Sequence, residues 1–359
     1  MAAIPLATPF RLQHQVSDNA PNYVFQLAPS NTMTHMAAPH AQGTISIHDL
    51  ATLSKVATIT PAASADTILT QVLFDNVNSD LLFSSDRNGL VALWDLRTGG
   101  CNGTHTPVLT WNAYAPILSF DVNSSHTVLA AGSELLGEDA NINFWDIRGG
   151  AGGLLATFSE CHSDDVTQIK FHPTQAEAMI SGSTDGLICL YNLSTWEEED
   201  ALYQVIKNDS VSKLGFFGPS SEYIYATTHI ETMSLWKFLE GDKICVFGDV
   251  RGVSEDLKLD YLIDCTYEPV GQRLYATAGS QEGAIGILDV NIGRLELLYT
   301  LNGGHTDIVR STFGTQRWVF LHLVARTVQS VSGNNSIVAI MVLFNGSINL
   351  QCLLMKELL

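Results

Sequence analysis

The sequence predicts an all-β protein in which a four-stranded unit repeats around one closed body. Three observations predict this fold class. A segment of small residues, a tight turn and an apolar strand ending in Trp-Asp, or in a degenerate form of it, recurs along the chain. The copies are evenly spaced, and no long amphipathic helix interrupts them. Short strands separated by turn residues, without helices between them, favour an all-β protein over an α/β protein.

The spacing of the copies identifies the repeated unit. They end at positions 49, 95, 146, 192, 237 and 289, so successive ends lie 46, 51, 46, 45 and 52 residues apart. A four-stranded blade of a β-propeller takes roughly 40–45 residues, and loop insertions lengthen it. We therefore predict a β-propeller.

The fourth copy shows how one unit is built. We letter the four strands of a unit a to d in chain order. The segment 181–183 ends strand b with small side chains, Asp185-Gly186 supplies a hairpin turn, and 187–191 is the buried return strand c. Upstream, 166–171 alternates as expected for strand a, and downstream 201–205 suits the outer strand d. The third copy differs by a small insertion around Glu134 to Glu138.

Four residues of this copy resemble the hydrogen-bonded brace of WD-repeat propeller proteins. They are His162 in a loop, Ser181 on strand b, Asp185 in the turn and Tyr191 on strand c. The family usually has Trp where this chain has Tyr191, so the tyrosine hydroxyl would replace an indole N–H as the donor. The same reasoning assigns bracing roles elsewhere to Ser84, Asn88, Trp94, Trp145, Trp236 and His305.

The resemblance to WD-repeat proteins extends over roughly residues 20 to 311. It implies a seven-bladed propeller, and the pattern predicts that the last blade is degenerate or incomplete. We predict a single domain over residues 1–359, with six recognisable blades and the start of the seventh in 20–311. Residues 10–16 are the candidate closing strand.

Gly304-His305 is the pattern that precedes a further blade, but the strands expected after it do not follow. The only later hairpin candidate, 337–353 around Asn345-Gly346, lies too far along the chain for the usual spacing. Residues 312–359 are therefore either a divergent gene end, which we favour, or a degenerate seventh blade with a long insertion. The distinction matters because a propeller that lacks its last blade has unpaired sheet edges.

Charge restricts the classes of partner. The chain has 18 Lys and Arg against 37 Asp and Glu, a net charge of −19. Such a field repels a phosphate backbone and attracts basic proteins, so we expect no direct nucleic-acid binding. The longest late apolar run has about eight residues, too short for the roughly twenty of a spanning helix, so we expect no membrane segment. The six scattered cysteines fit a reduced cytoplasmic or nuclear protein.

The sequence offers little chemistry for catalysis. Its histidines lack metal-ligand spacing, and neither a nucleophile elbow nor a phosphate loop occurs. We therefore predict no enzyme activity, no cofactor and no metal, with a propeller hydrolase as a distant third interpretation. The leading interpretation is a protein–protein interaction scaffold that binds through its blade-connecting loops and the rims of its central channel.

The second interpretation rests on two arginines. Trp94-Asp95-Leu96-Arg97 and Trp145-Asp146-Ile147-Arg148 fit the Trp-Asp-x-Arg pattern of propellers that dock on the adaptor of cullin-RING ubiquitin ligases. In those proteins the planar guanidinium contacts the adaptor. The alternative is that each arginine only pairs with a nearby acid. Arg97 and Arg148 are the residues at stake in a role as substrate receptor.

Overall fold

The computed structural model describes residues 11–12, 24–40, 43–61, 67–98, 106–150, 152–254, 257–302, 307–314, 320–324, 326–327, 336–337 and 340–344, with side chains from 24 to 312. Almost all regular structure in these ranges is β-strand. Within them, no helix has the length and apolar character needed to cross a membrane. His305 lies outside the described residues.

Six four-stranded antiparallel sheets follow one another along the chain, each built from four consecutive strands a to d. A short strand β1 (Arg11–Leu12) precedes them. Blades 1 to 3 comprise β2 (Ala28–Pro29), β3 (His35–Pro39), β4 (Ile45–Asp49), β5 (Lys55–Ile59); β6 (Leu69–Phe74), β7 (Leu81–Asp86), β8 (Leu90–Asp95), β9 (Leu109–Asn112); and β10 (Ile117–Val122), β11 (Val128–Ser133), β12 (Ala140–Asp146), β13 (Gly153–His162).

Blades 4 to 6 repeat this order. They comprise β14 (Val166–Phe171), β15 (Ala178–Ser183), β16 (Leu187–Asn192), α1 (Glu198–Ala201), β17 (Leu202–Lys207); β18 (Val211–Phe217), β19 (Tyr223–Thr228), β20 (Met233–Lys237), β21 (Lys243–Phe247), with a 3-10 turn at Val250–Gly252; and β22 (Tyr261–Glu268), β23 (Arg273–Gly279), β24 (Ile285–Asn291), β25 (Arg294–Leu301).

A further four-stranded sheet, which we call the terminal sheet, joins the two ends of the chain. Its strand order is β26 (Val309–Gly314), β27 (Phe320–Val324), β30 (Ile340–Phe344) and then β1. A separate two-stranded hairpin pairs β28 (Arg326–Thr327) with β29 (Ser336–Ile337). The structure therefore shows six blades of the repeated kind, and not the seven that we predicted from the sequence, because the remaining sheet lacks four consecutive strands.

Burial explains why these segments form strands. Every residue of β15 is buried, whereas the outer strand β17 alternates between exposed and less exposed positions. Strand β15 is covered on both faces by neighbouring blades, so all of its residues are buried, including Ser181 and Ser183. An outer strand keeps the period of two. The b–c turn of blade 4 needs glycine: Gly186 has φ +83°, and a Cβ there would lie 3.0 Å from the carbonyl oxygen of Asn208.

Side-chain hydrogen bonds join successive blades, most of them through strand a; the last one starts from Tyr225 on strand b of blade 5. Each runs from one blade to a backbone group or side chain of the next, and together they link blades 1 to 6. The bonds are Val72 N to Gln26 Oε1 (2.8 Å), Gln71 Nε2 to Phe120 O (3.0 Å), Ser119 Oγ to Val166 O (2.9 Å), Thr167 Oγ1 to Val211 O (2.7 Å) and Tyr225 Oη to Cys265 O (3.4 Å).

Strand β26 of the terminal sheet is bonded in the same way on both sides. Val309 N donates to Tyr261 Oη at 2.7 Å, and the hydroxyls of Thr312 and Thr277 lie 2.8 Å apart. On the other side, Leu27 N donates to Ser311 Oγ at 3.1 Å. The strand thus contacts blade 6 and blade 1 together, across 284 residues of sequence in the second case.

The clamp between blades 2 and 3 gives a stability prediction. Phe120 N also donates to Gln71 Oε1 at 2.9 Å, so the amide of Gln71 satisfies both backbone groups of a buried residue. We expect Gln71→Leu to lower the free energy of unfolding by about 1–3 kcal/mol, because both groups lose their partner. The control is Gln168→Leu at the matching position of blade 4, where, among the residues that the structure describes, the amide bonds Thr167 O of its own strand and no group of the next blade. Equal losses in urea unfolding would contradict an inter-blade role.

Candidate functional site

The strand order defines two loop faces. In each antiparallel blade, the b–c turns and the connections from strand d to the next strand a lie at one end of the strands. We call this the b–c face. The a–b and c–d turns lie at the opposite end, which we call the c–d face. The brace turn of blade 4 belongs to the b–c face, and Arg97 and Arg148 follow strands c on the c–d face.

The structure brings together the four predicted brace residues of blade 4. His162 Nδ1 lies 3.0 Å from Asp185 Oδ2, and His162 Nε2 lies 2.7 Å from Ser181 Oγ. Ser181 Oγ in turn lies 3.0 Å from Tyr191 Oη. The chain of contacts runs from the b–c turn to strand c, and it begins at the end of β13, so it ties blade 3 to blade 4.

Charge strengthens the first contact of the brace. Burial by itself lowers the pKa of His162, but the side-chain hydrogen bonds to Asp185 and Cys189 and the charges of these two groups outweigh it and raise the pKa to about 9. Burial conversely raises the pKa of Asp185, and the bond to His162 outweighs it and lowers that pKa. Both directions describe a buried imidazolium–carboxylate pair, which is stronger than a neutral hydrogen bond.

Tyr191 is compatible with a charged His162 in a way that Trp would not be. A protonated imidazole donates from both nitrogens, so Ser181 Oγ accepts from Nε2 and must pass its own proton onward. The oxygen of a tyrosine hydroxyl can accept this hydrogen bond, whereas an indole N–H only donates. With a charged His162, Tyr191 therefore acts as an acceptor toward Ser181 and not as the donor expected from the sequence. The presence of Tyr191 in place of the usual Trp is therefore consistent with the raised pKa of His162.

The same atoms have the order of a Ser-His-Asp triad, but they lack access to a substrate. Ser181 and Tyr191 are fully buried, and the side chain of His162 is 0% exposed. A catalytic nucleophile must reach a reacting atom. The arrangement is therefore suited to holding two blades together, and its chemistry is that of a structural hydrogen-bond network.

Blade 2 braces its turn differently from the prediction. Trp94 Nε1 donates to Ser84 Oγ at 2.9 Å. Asn88, however, is exposed, and the turn amides of Asn88 and Leu90 donate to Asp86 Oδ1, each at 2.9 Å. Asp86 occupies the place in the turn that we assigned to Asn88. The sequence signal was present, since an acid two residues before Asn88 can accept from the turn.

The remaining predicted bracing residues have separate surroundings. Trp236 Nε1 donates to Ser234 Oγ at 2.8 Å, and Ser234 Oγ donates to Asn208 Oδ1 at 3.1 Å. Ser234 lies on the same strand as Trp236, whereas the repeat pattern places the partner serine on strand b. Trp145 is buried among the apolar side chains between blades 2 and 3.

Arg97 and Arg148 adopt the same conformation in adjacent blades. Arg97 Nε and Nη2 donate to the two carboxylate oxygens of Asp95 at 3.0 and 2.8 Å. Arg148 does the same with Asp146 at 2.9 and 2.6 Å. These bonds lower the pKa of each acid to about 2. Both guanidinium groups remain exposed, so each is held in place by its own aspartate and faces solvent.

A cavity of about 420 Å³ lies between the innermost strands. Gln71, Lys170, Lys213 and Arg310 line it, together with Asp264. Cations are thus present in the channel of an acidic protein. Among the residues whose side chains are described, no group of three or more His, Cys, Asp or Glu is placed to hold a metal ion.

Comparisons with known proteins agree with this architecture. The family model "WD domain, G-beta repeat" matches residues 152–192, which contain the brace of blade 4. The chain is 28% identical over 305 residues to the WD repeat-containing protein 89 homolog of Dictyostelium discoideum, covering 84% of this chain and 80% of that protein. It is 29% identical over 318 residues to WD repeat-containing protein GTS1 of Arabidopsis thaliana, covering 84% and 77%. An uncharacterized WD repeat-containing protein of Saccharomyces cerevisiae is 34% identical over 59% of the chain and 52% of its own length.

Proposed function

Because the chain belongs to the WD-repeat β-propeller proteins, we propose that it is a non-catalytic scaffold that holds other proteins on its loop faces. The observation that carries this proposal is that the polar side chains of the blade 4 brace join two blades and do not face a substrate. The Ser-His-Asp set is buried and connects blade 3 to blade 4, while large apolar side chains are exposed in the connecting loops. A rigid body with exposed apolar loops favours binding over catalysis.

We further propose that the terminal sheet closes the ring as a degenerate seventh blade. The bonds of β26 to both blade 6 and blade 1 support this role. The pairing of Arg11 with Phe344 supports residues 10–16 as the source of the outer closing strand. On this proposal residues 1–359 form one domain, and the C-terminal segment is a divergent blade and not an unrelated gene end.

The partners we propose are basic proteins of the cytoplasm or nucleus. The net charge of −19 supports basic partners, because complementary charge speeds and orients association. Cys161, Cys189 and Cys265 are buried free thiols, which fits a reducing compartment.

Affinity capture of the full chain from its own cells, followed by mass spectrometry, tests the scaffold. We expect one or a few proteins at near-stoichiometric recovery, with basic segments among them. Recovery of a cullin adaptor together with its cullin would favour the substrate receptor instead. The scaffold proposal fails if no protein is enriched, and measurable hydrolysis in that case would favour the enzyme.

The substrate receptor is the second candidate because Arg97 and Arg148 are both exposed and held rigidly on the same face. We expect Arg97→Ala with Arg148→Ala to abolish recovery of the adaptor in a pull-down and to leave the midpoint of urea unfolding nearly unchanged, since both ion pairs are exposed. Unchanged recovery by the double variant would exclude docking through these residues.

Arg251→Ala is the matched control for this pull-down. Arg251 forms the same bidentate pair with Asp249, at 2.8 and 2.7 Å, and is similarly exposed. It lies on the b–c face and outside any Trp-Asp-x-Arg motif. We expect this variant to recover the adaptor as the unsubstituted chain does.

A further inference from the structure

The insertion in blade 3 forms a rigid turn that projects from the b–c face. Leu136 and Asp139 pair as an antiparallel bridge around Gly137, whose φ is +83°. A Cβ on Gly137 would meet nothing within 4 Å, so the tip of the turn stands clear of the body. At its base, Glu134 N donates to Pro116 O and Leu135 N donates to Asp165 Oδ1, both at 2.8 Å.

The neighbouring connection between blades 2 and 3 is fixed against this turn. Ala113 N donates to Gly89 O at 2.8 Å, and Arg87 of the blade 2 turn pairs with Glu134 at 3.0 Å. The segment 113–116 is therefore bonded to the b–c turn of blade 2 on one side and to the blade 3 insertion on the other. Tyr114 lies between them.

This location leaves three large apolar side chains exposed. Tyr114 is 87% exposed, Leu136 59% and Leu135 41%. Tyr114 also has φ +58°, a left-handed backbone conformation that is unfavourable for a residue with a Cβ. Folding alone would favour Gly or Asn at this position. The exposed aromatic ring held there is not part of the core and is accessible to a partner.

The apolar residues have an acidic border. Glu138 and Asp139 are exposed on the same turn, and Asp164 and Asp165 are half-buried in the adjacent loop of blade 4. Arg87 is the neighbouring cation, and it is already paired with Glu134. We call Tyr114, Leu135, Leu136, Glu138 and Asp139 the blade 3 turn surface.

We propose that the blade 3 turn surface binds a Lys/Arg-rich segment of a partner protein that carries an apolar or aromatic anchor. The acids attract the basic residues, and the exposed Tyr114 and Leu136 receive the anchor. The turn is already ordered by backbone bonds, so binding costs little conformational entropy on this side. The proposal rests on the proposed scaffold function and assigns it a site.

Short fluorescein-labelled peptides test the site by fluorescence anisotropy. One peptide combines Lys and Arg with a central Leu-Trp pair, a second replaces that pair with Ser-Ser, and a third replaces the basic residues with Glu. We expect the first to bind best, its affinity to fall with added salt, and the third not to bind. Absence of binding by the first peptide, or equal binding of all three, overturns the proposal.

Substitutions locate the binding on the chain. Tyr114→Asn with Leu136→Ser should weaken the first peptide about tenfold or more, because the anchor contacts are lost. Asn tolerates the positive φ at position 114, so this variant is expected to fold.

Glu138→Gln with Asp139→Asn should reduce the salt dependence of the affinity for the first peptide. The control is Val270→Ser with Ile292→Ser, two residues of blade 6 on the c–d face that are each 79% exposed. Equal affinities of the Tyr114 variant and the control overturn the proposal.

The capture experiment separates failure of this site from failure of the scaffold. If the full chain recovers partners and the variant with Tyr114→Asn and Leu136→Ser recovers them equally, the scaffold holds and the site is wrong. Partners lost by this variant and retained by the Val270 and Ile292 control support both proposals. If even the unsubstituted chain recovers none, the scaffold itself is wrong.

Discussion

A chain that ends at Ser311 is expected to lose its cooperative thermal unfolding transition. The truncation removes Thr312 and its hydroxyl contact with Thr277, together with β27 and β30, and leaves β1 without its partner strand. Blades 6 and 1 then lose the sheet between them, and their buried faces meet water. A propeller without closure exposes sheet edges and apolar surface. We expect a broad transition at a lower temperature by circular dichroism.

The control for this truncation is a chain that ends at Phe344, which keeps every strand of the terminal sheet. We expect it to melt as sharply as the full chain. A chain ending at Ser311 that melts at the temperature and with the sharpness of the full chain would show that the terminal sheet is dispensable, and ring closure by β26 would then be wrong.

Asp185→Asn is expected to destabilise the protein by about 2–3 kcal/mol near neutral pH. The carboxylate accepts from Ser163 N and Leu187 N as well as from His162, at 3.1, 2.8 and 3.0 Å. The substitution keeps the shape of the side chain and removes its charge, so a charged hydrogen bond in a buried site is lost. Urea unfolding measures the loss. Asp242→Asn is the control, because its pair with Lys237 is exposed and long at 3.6 Å.

The loss should depend on pH with a definite sign. The pKa of His162 is raised from its ordinary value of 6.5 to about 9, so the folded state holds this proton more tightly than the unfolded chain. The resulting stability is complete below about pH 6.5 and is lost as the pH rises to about 9. The pKa of Asp185 is lowered, so its contribution is present above pH 3.8 and is lost as the pH falls. The difference between the unsubstituted chain and Asp185→Asn should therefore shrink between pH 6.5 and 9. A constant difference would mean that His162 is neutral in the folded protein.

Sequence reasoning located the blades well because each is a local unit. The turn at Asp185-Gly186 and the strands on either side of it are encoded within a few residues, and the observed strands β15 and β16 end where the small residues and the turn indicate. The outer strand of blade 4 begins one residue later than predicted, because α1 includes residue 201. It ends at Lys207, two residues after the predicted end. Ends of outer strands depend on loop packing, which a repeat pattern does not record.

Contacts between blades were largely invisible in the sequence. Gln71 reads as a polar residue on an alternating strand, and only its position beside Phe120 of the next blade reveals a clamp. Asp86 reads as part of a turn whose acceptor we assigned to Asn88. Tyr114 carries no motif, and its exposure and positive φ appear only in three dimensions.

By itself the sequence determined the all-β class, the blade period and the composition of the blade 4 brace, because these follow from patterns within about fifty residues. Tertiary structure alone decided how the ring is joined: Ser311 bonds Leu27 and Arg11 pairs with Phe344, although hundreds of residues separate the partners. It also decided that the Ser-His-Asp set is buried. Such pairings depend on where the strands meet after the blades have packed, and the local pattern of side chains carries no record of that meeting.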